Sequence, residues 1–168
     1  MNKWVPLCGN FEQRDETIIF NGQELQGVAG ESQPLVGEVL FGDKILAGDV
    51  SLDIEFESCD LHRGEEAGII LNFLNQDDFI CAGISGNVLK YDVKHLTKGS
   101  WQPMGATGLV PQLQKEQIHI EIKINPSSLQ LLVDGIEVVT APLACTLKKA
   151  PIGLWVCSKR KIIFSNLK

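Results

Sequence analysis

Hydrophobic and polar residues alternate along most of this chain with a period of two, the repeat of a strand with one buried face. The clearest stretch is Val50-Ser51-Leu52-Asp53-Ile54-Glu55-Phe56-Glu57. Val50, Leu52, Ile54 and Phe56 share one face, and Ser51, Asp53, Glu55 and Glu57 share the other. Ile118-His119-Ile120-Glu121-Ile122-Lys123-Ile124 repeats the pattern, and the polar turn Asn125-Pro126-Ser127-Ser128 follows it. Leu129-Gln130-Leu131-Leu132-Val133 comes next, then the turn dipeptide Asp134-Gly135 and Ile136-Glu137-Val138-Val139. Together these segments predict an antiparallel meander.

Further strands are predicted over 17–20, 35–41, 68–73, 79–84, 88–92, 151–157 and 161–166. They are short and separated by Gly, Asn, Asp and Ser, which leaves little room for helices. Only 110–117 and 143–149 have the length for a helical turn. One-sided apolar patterning over many short strands predicts two antiparallel sheets packed face to face, each with its outer face toward water. No repeat, linker or charge block divides residues 1–168, so a single all-β domain is expected.

Composition narrows the function classes. A hydrophobic fraction of 44% with 21% charged residues is the balance of a folded chain. Lys plus Arg is 15 against 21 for Asp plus Glu, a net charge of −6, so nucleic acid and anionic membrane are not expected partners. Lys159-Arg160-Lys161 reads as a solvated hairpin tip. No apolar run reaches the ~18 residues of a membrane span. The 5 cysteines (Cys8, Cys59, Cys81, Cys145 and Cys157) are odd in number and contain no Cys-x-x-Cys pair. With no signal-peptide pattern at Met1-Asn2-Lys3-Trp4-Val5-Pro6, a reducing, cytoplasmic setting is expected, and a removed leader would make it a secreted one.

Several segments carry a family resemblance when taken in order. Gly48-Asp49-Val50-Ser51-Leu52-Asp53-Ile54-Glu55-Phe56 resembles an early core strand of the concanavalin A-like lectin and glucanase jelly rolls. Ala67-Gly68-Ile69-Ile70-Leu71 with Asp78-Phe79-Ile80 resembles the next hairpin. Ile118 to Val138, including Val133-Asp134-Gly135, is similar to a passage of laminin-G-like domains. Pro151-Ile152-Gly153-Leu154-Trp155 and Ile163-Phe164-Ser165-Asn166-Leu167 resemble the closing strands, so the likeness spans roughly 17–167. It implies a two-sheet antiparallel jelly-roll sandwich whose concave sheet and rim loops bind ligand. It implies no single function, because that superfamily holds lectins, carbohydrate-binding modules, glycosidases and domains used only for protein contact.

Three sets of residues are candidates for chemistry. Laminarinase-type glucanases of that superfamily carry Glu-x-Asp-x-Glu on a strand, and this chain has Asp53-x-Glu55-x-Glu57, with the first two types exchanged. Alternate strand positions start ~6.6 Å apart and the outer two ~13 Å apart, against about 5–5.5 Å between the working carboxyls of a retaining glycosidase. A solvated strand face accounts for the row more simply. For sugar binding the candidates are Trp101, Tyr91, His95, Asn72 and Trp155, which offer aromatic surface and hydrogen-bonding groups. Trp101 lies in a loop-like stretch, facing a ligand or plugging the open end of the sandwich. Trp155 is out of phase with Leu154 and Val156, so it faces outward, toward a ligand or as a cover over a small cross-strand neighbour. Laminin-G-like domains often bind calcium, for which Asp77, Asp78 and Asp60 are the weak candidates, and solvated turns account for them more simply. His62, His95 and His119 show no metal-ligand spacing.

The leading expectation is a non-catalytic recognition module for carbohydrate, without a required cofactor. The alternatives are a protein-interaction or assembly domain, whose edge strands leave room for pairing with a second copy, and a glycoside hydrolase acting on β-glucan-like polysaccharide.

Overall fold

The computed structural model describes residues 4–22, 24–26, 32–45, 48–57, 65–85, 90–105, 108–109, 116–144 and 146–168. Among the described residues sixteen strands follow one another: β1 (Trp4–Cys8), β2 (Phe11–Arg14), β3 (Thr17–Phe20), β4 (Glu24–Gln26), β5 (Ser32–Ile45), β6 (Val50–Phe56), β7 (Glu66–Asn75) and β8 (Asp78–Ser85). The second half holds β9 (Lys90–Thr97), β10 (Ser100–Pro103), β11 (Gly108–Leu109), β12 (Gln117–Asn125), β13 (Ser128–Val133), β14 (Ile136–Pro142), β15 (Pro151–Ser158) and β16 (Ile162–Ser165). No helix occurs among the described residues, and the described parts of 110–117 and 143–149 hold no helical turn.

The strands form two antiparallel sheets. The nine-stranded sheet runs β1-β5-β15-β7-β8-β9-β10, with β11 also on β9 and β4 on β5. The seven-stranded sheet runs β14-β13-β12-β6-β16-β3-β2. The predicted meander is β12-β13-β14, and its turn has Asp134 at φ 49° and Gly135 at φ 80°, the left-handed pair of a type I′ hairpin.

Alternation places the core. Leu52, Ile54, Ile120, Ile122, Leu129 and Leu131 of one sheet meet Ile69, Leu71, Ala82, Leu154 and Val156 of the other, all fully buried. The chain passes from β15 to β16 through Lys159-Arg160-Lys161. That stretch is a corner between the two sheets and not the hairpin tip expected from sequence. A buried carboxylate organises the corner: Glu65 accepts from Ser158 Oγ at 3.0 Å and Lys159 N at 3.3 Å, with Arg160 Nη2 3.8 Å away.

Candidate functional site

Residues out of phase with the core lie on the outer faces, and the outer face of the nine-stranded sheet is the chemically dense one. Strand registers set out its grid. Cys157, Glu66, Ser85 and Lys90 stand in one row across β15, β7, β8 and β9. Trp155, Gly68, Gly83 and Asp92 form the next, and Gly153, Ile70, Cys81 and Lys94 the one after. Ile70, Phe79, Cys81, Leu96 and Trp155 form an apolar cluster separate from the main core, with Leu7, Phe73 and Trp101 against it.

The paired glycines explain how this face packs. A Cβ on Gly83 would lie 2.2 Å from the Ala67 carbonyl oxygen, and one on Gly68 would lie 2.5 Å from that of Ala82. With no side chain in these two places, Lys94 on β9 reaches diagonally across β8 to the carboxylate of Glu66 on β7. The Glu66 carboxylate also accepts from Trp155 Nε1 at 3.1 Å and from Ser85 Oγ at 3.3 Å. The ammonium of Lys94 lies 4.4 Å from the centre of the Trp101 ring, in cation–π contact. Trp101 in turn meets Trp155 edge-on at 5.2 Å and Phe79 at 5.6 Å.

Charges on this face are largely withdrawn from water. The side chains of Asp92, Lys94 and Glu66 are 10%, 11% and 20% exposed. Burial raises the Asp92 carboxyl above its ordinary value, against the opposing pull of Lys94 and Lys90, the latter 3.5 Å away. Burial pulls Lys94 down, but Cys81, Glu66 and Asp92 outweigh it and its pKa stands above the usual lysine value. The Cys157 thiol beside them is pushed up to about 11, chiefly by burial, with Glu66 adding to it. It is therefore a poor nucleophile near neutral pH. Such a network can donate and accept hydrogen bonds beside aromatic carbon, the dual character that a sugar presents.

The residues singled out from sequence are distributed over several places. Trp101 and Trp155 come together on this face, Trp101 on β10 and not in a loop, and Trp155 over Gly68. Tyr91 does not join them. It points between the sheets, 4% exposed, and burial, with Asp134 adding, pushes its phenol up to about 12. Its parity on β9 is that of Val93, the reverse of Asp92 and Lys94. His95 shares that parity at the sheet rim, where its Nε2 lies 2.7 Å from Asp78 Oδ1. Asn72 sits at φ 49° and accepts from Lys148 N at 2.8 Å, pinning a loop.

Asp60 lies outside the described residues. Asp77 lies in the β7–β8 turn and Asp78 opens β8, where it is held by His95. Among the described residues no three His, Cys, Asp or Glu side chains converge as a metal ion requires.

Asp53, Glu55 and Glu57 point outward from the opposite, seven-stranded sheet. Asp53 commits both oxygens: Oδ1 to His119 Nδ1 at 2.6 Å and Oδ2 to the Asn166 amide at 2.7 Å. Burial opposes its ionisation, but the bonds from Asn166 and His119 prevail and hold its pKa below the usual value. Glu57 accepts from Lys161 N at 3.2 Å, and Glu55 is exposed. A hollow of about 420 Å³ lies beside this row, lined by Asp53, Gln117, Ile118, His119 and Asp134.

Sequence reasoning passed over Glu66, Lys94, Lys90 and Ser85. The signal was present in Lys90-Tyr91-Asp92-Val93-Lys94, where charge and apolar residues alternate. Glu66 and Lys94 are 28 positions apart, and only the strand register joins them.

No protein-family model matches the sequence. No curated protein matches it either. Among solved structures, the carbohydrate-binding module CBM66 from Bacillus subtilis superposes with a TM-score of 0.76 at 12% identity, over 99% of this chain and 94% of that one. A prokaryotic β-1,3-1,4-glucanase (lichenase) derived from a mouse hindgut metagenome gives 0.68 at 12% identity, over 98% and 90%. A Bacillus licheniformis β-glucanase gives 0.63 at 11%, over 98% and 89%. At such identities the likeness establishes the fold alone: the chain is a concanavalin A-like jelly-roll sandwich.

Proposed function

We propose that this domain is a non-catalytic carbohydrate-recognition module whose ligand docks on the outer face of the nine-stranded sheet. The observation that carries the reading is the network in which Glu66 gathers Lys94, Ser85 and the Trp155 indole beside Trp101. Charged groups this far from water are costly, and a cluster of them is more readily retained for recognition than for stability. Sugar as the ligand class draws support from neighbours of the same fold, one named as a carbohydrate-binding module and two as glucanases. Recognition is favoured over hydrolysis because Asp53 has both oxygens engaged and its row lies on the opposite sheet.

The test is a glycan array probed with the purified domain, with and without calcium, and titration of each hit against Trp101→Ala. Saturable binding weakened at least tenfold by Trp101→Ala supports the reading. A blank array on folded protein removes its basis and transfers the weight to a protein partner.

A further inference from the structure

The network on the nine-stranded sheet limits which sugars it accepts, and this step rests on the carbohydrate reading above. The charges in contact within the network pair off, Glu66 with Lys94 and Asp92 with Lys90, so each of these cations already has a carboxylate. A ligand carboxylate or sulfate arriving here would add an uncompensated charge to a poorly hydrated site, which is strongly unfavourable. The whole chain, at −6, also repels anions.

Asp92 and Lys94 have the same parity on β9, so their Cα atoms lie about 6.6 Å apart on one face. One is an acceptor only, the other a donor only. Two hydroxyls on neighbouring ring carbons match that pair, one donating to the Asp92 carboxylate and the other accepting from Lys94. Glu66 then acts as a positioning residue, since it fixes the Lys94 ammonium and the Trp155 indole.

We infer that the site takes a neutral sugar and reads a vicinal diol between Asp92 and Lys94, excluding uronates and sulfated glycans. The experiment uses one array carrying neutral, uronate-containing and sulfated oligosaccharides. Titration of the hits follows, by calorimetry, against the intact chain, Asp92→Ala, Lys94→Met and the Glu121→Gln control on the opposite sheet. The expected result is neutral hits only, weakened about tenfold or more by Asp92→Ala and by Lys94→Met, and unchanged by Glu121→Gln. Deoxygenation of either hydroxyl of the diol should cause a similar loss.

Preference for acidic glycans overturns this inference and leaves the carbohydrate reading standing. So does a neutral ligand whose affinity ignores Asp92→Ala in a variant that melts like the parent. A blank array overturns both. Should either substitution prevent folding, the neutral-against-acidic comparison on the parent chain still decides.

Discussion

The two outer faces of the sandwich grow from strands with the same alternation, yet they meet water in different ways. On the seven-stranded sheet, Glu55, His119 and Glu137 stand exposed, and Glu121 and Lys123 form a loose pair at 3.9 Å. On the nine-stranded sheet the equivalent positions hold Ile70 and Phe79 at 0%, Trp155 at 8% and Asp92 at 7% exposure. Period two therefore decides which side chains share a face and is silent on whether that face stays wet. The deciding features are local: two glycines opposite each other, a tryptophan beside them and a lysine long enough to cross.

The largest effect expected from breaking this contrast is at Trp155. Trp155→Ala removes a buried aromatic and the indole bond to Glu66, and should cost about 3–5 kcal/mol in urea or thermal unfolding. Glu121→Ala on the other face should stay within about 0.5 kcal/mol of the parent. Gly83→Ala comes next, since its new Cβ meets backbone that cannot swing away; about 1–3 kcal/mol of destabilisation is expected, together with loss of the Lys94 crossing. Glu66→Gln should cost about 1–3 kcal/mol, because it leaves the Lys94 ammonium without its carboxylate.

The smallest and most discriminating contrast is in pH dependence. Asp53 has a folded pKa below the unfolded one, so its contribution is complete above the ordinary carboxylate range and is lost as pH falls through the lowered value. Asp92 has the opposite sign. Its raised pKa means that ionisation destabilises the fold above that value, and the penalty disappears on acidification. Carboxyl titration by NMR should place Asp92 above the ordinary aspartate midpoint and Asp53 below it. Equal midpoints would erase the distinction between the faces.

Much of the architecture was legible because burial on one side imposes strict alternation. The β12-β13-β14 meander and the outward placement of Trp155 followed from parity, and the Asp134-Gly135 turn from its dipeptide. Strands β1, β2, β4, β10 and β11 were missed. Trp101 is the second residue of β10, which opens at Ser100 directly after Lys98 and Gly99, whose φ values of 50° and 74° make a two-residue turn, so a stretch with loop composition begins a strand at once. The 14-residue β5 was expected only over 35–41. Tyr91 was grouped with Trp101 by nearness in sequence, whereas on a strand the face is set by odd or even position. The Glu66 network needed pairing across β7, β8 and β9, information that no single stretch of sequence contains.

The most direct test of the central claim is a two-dimensional amide NMR titration of the domain with a neutral oligosaccharide retained on the array. Shifts are expected to concentrate at Glu66, Gly68, Gly83, Asp92 and Lys94 and at the indole protons of Trp101 and Trp155. Shifts gathered instead at Asp53, Glu55, His119 and Asp134, on the opposite sheet, would contradict it.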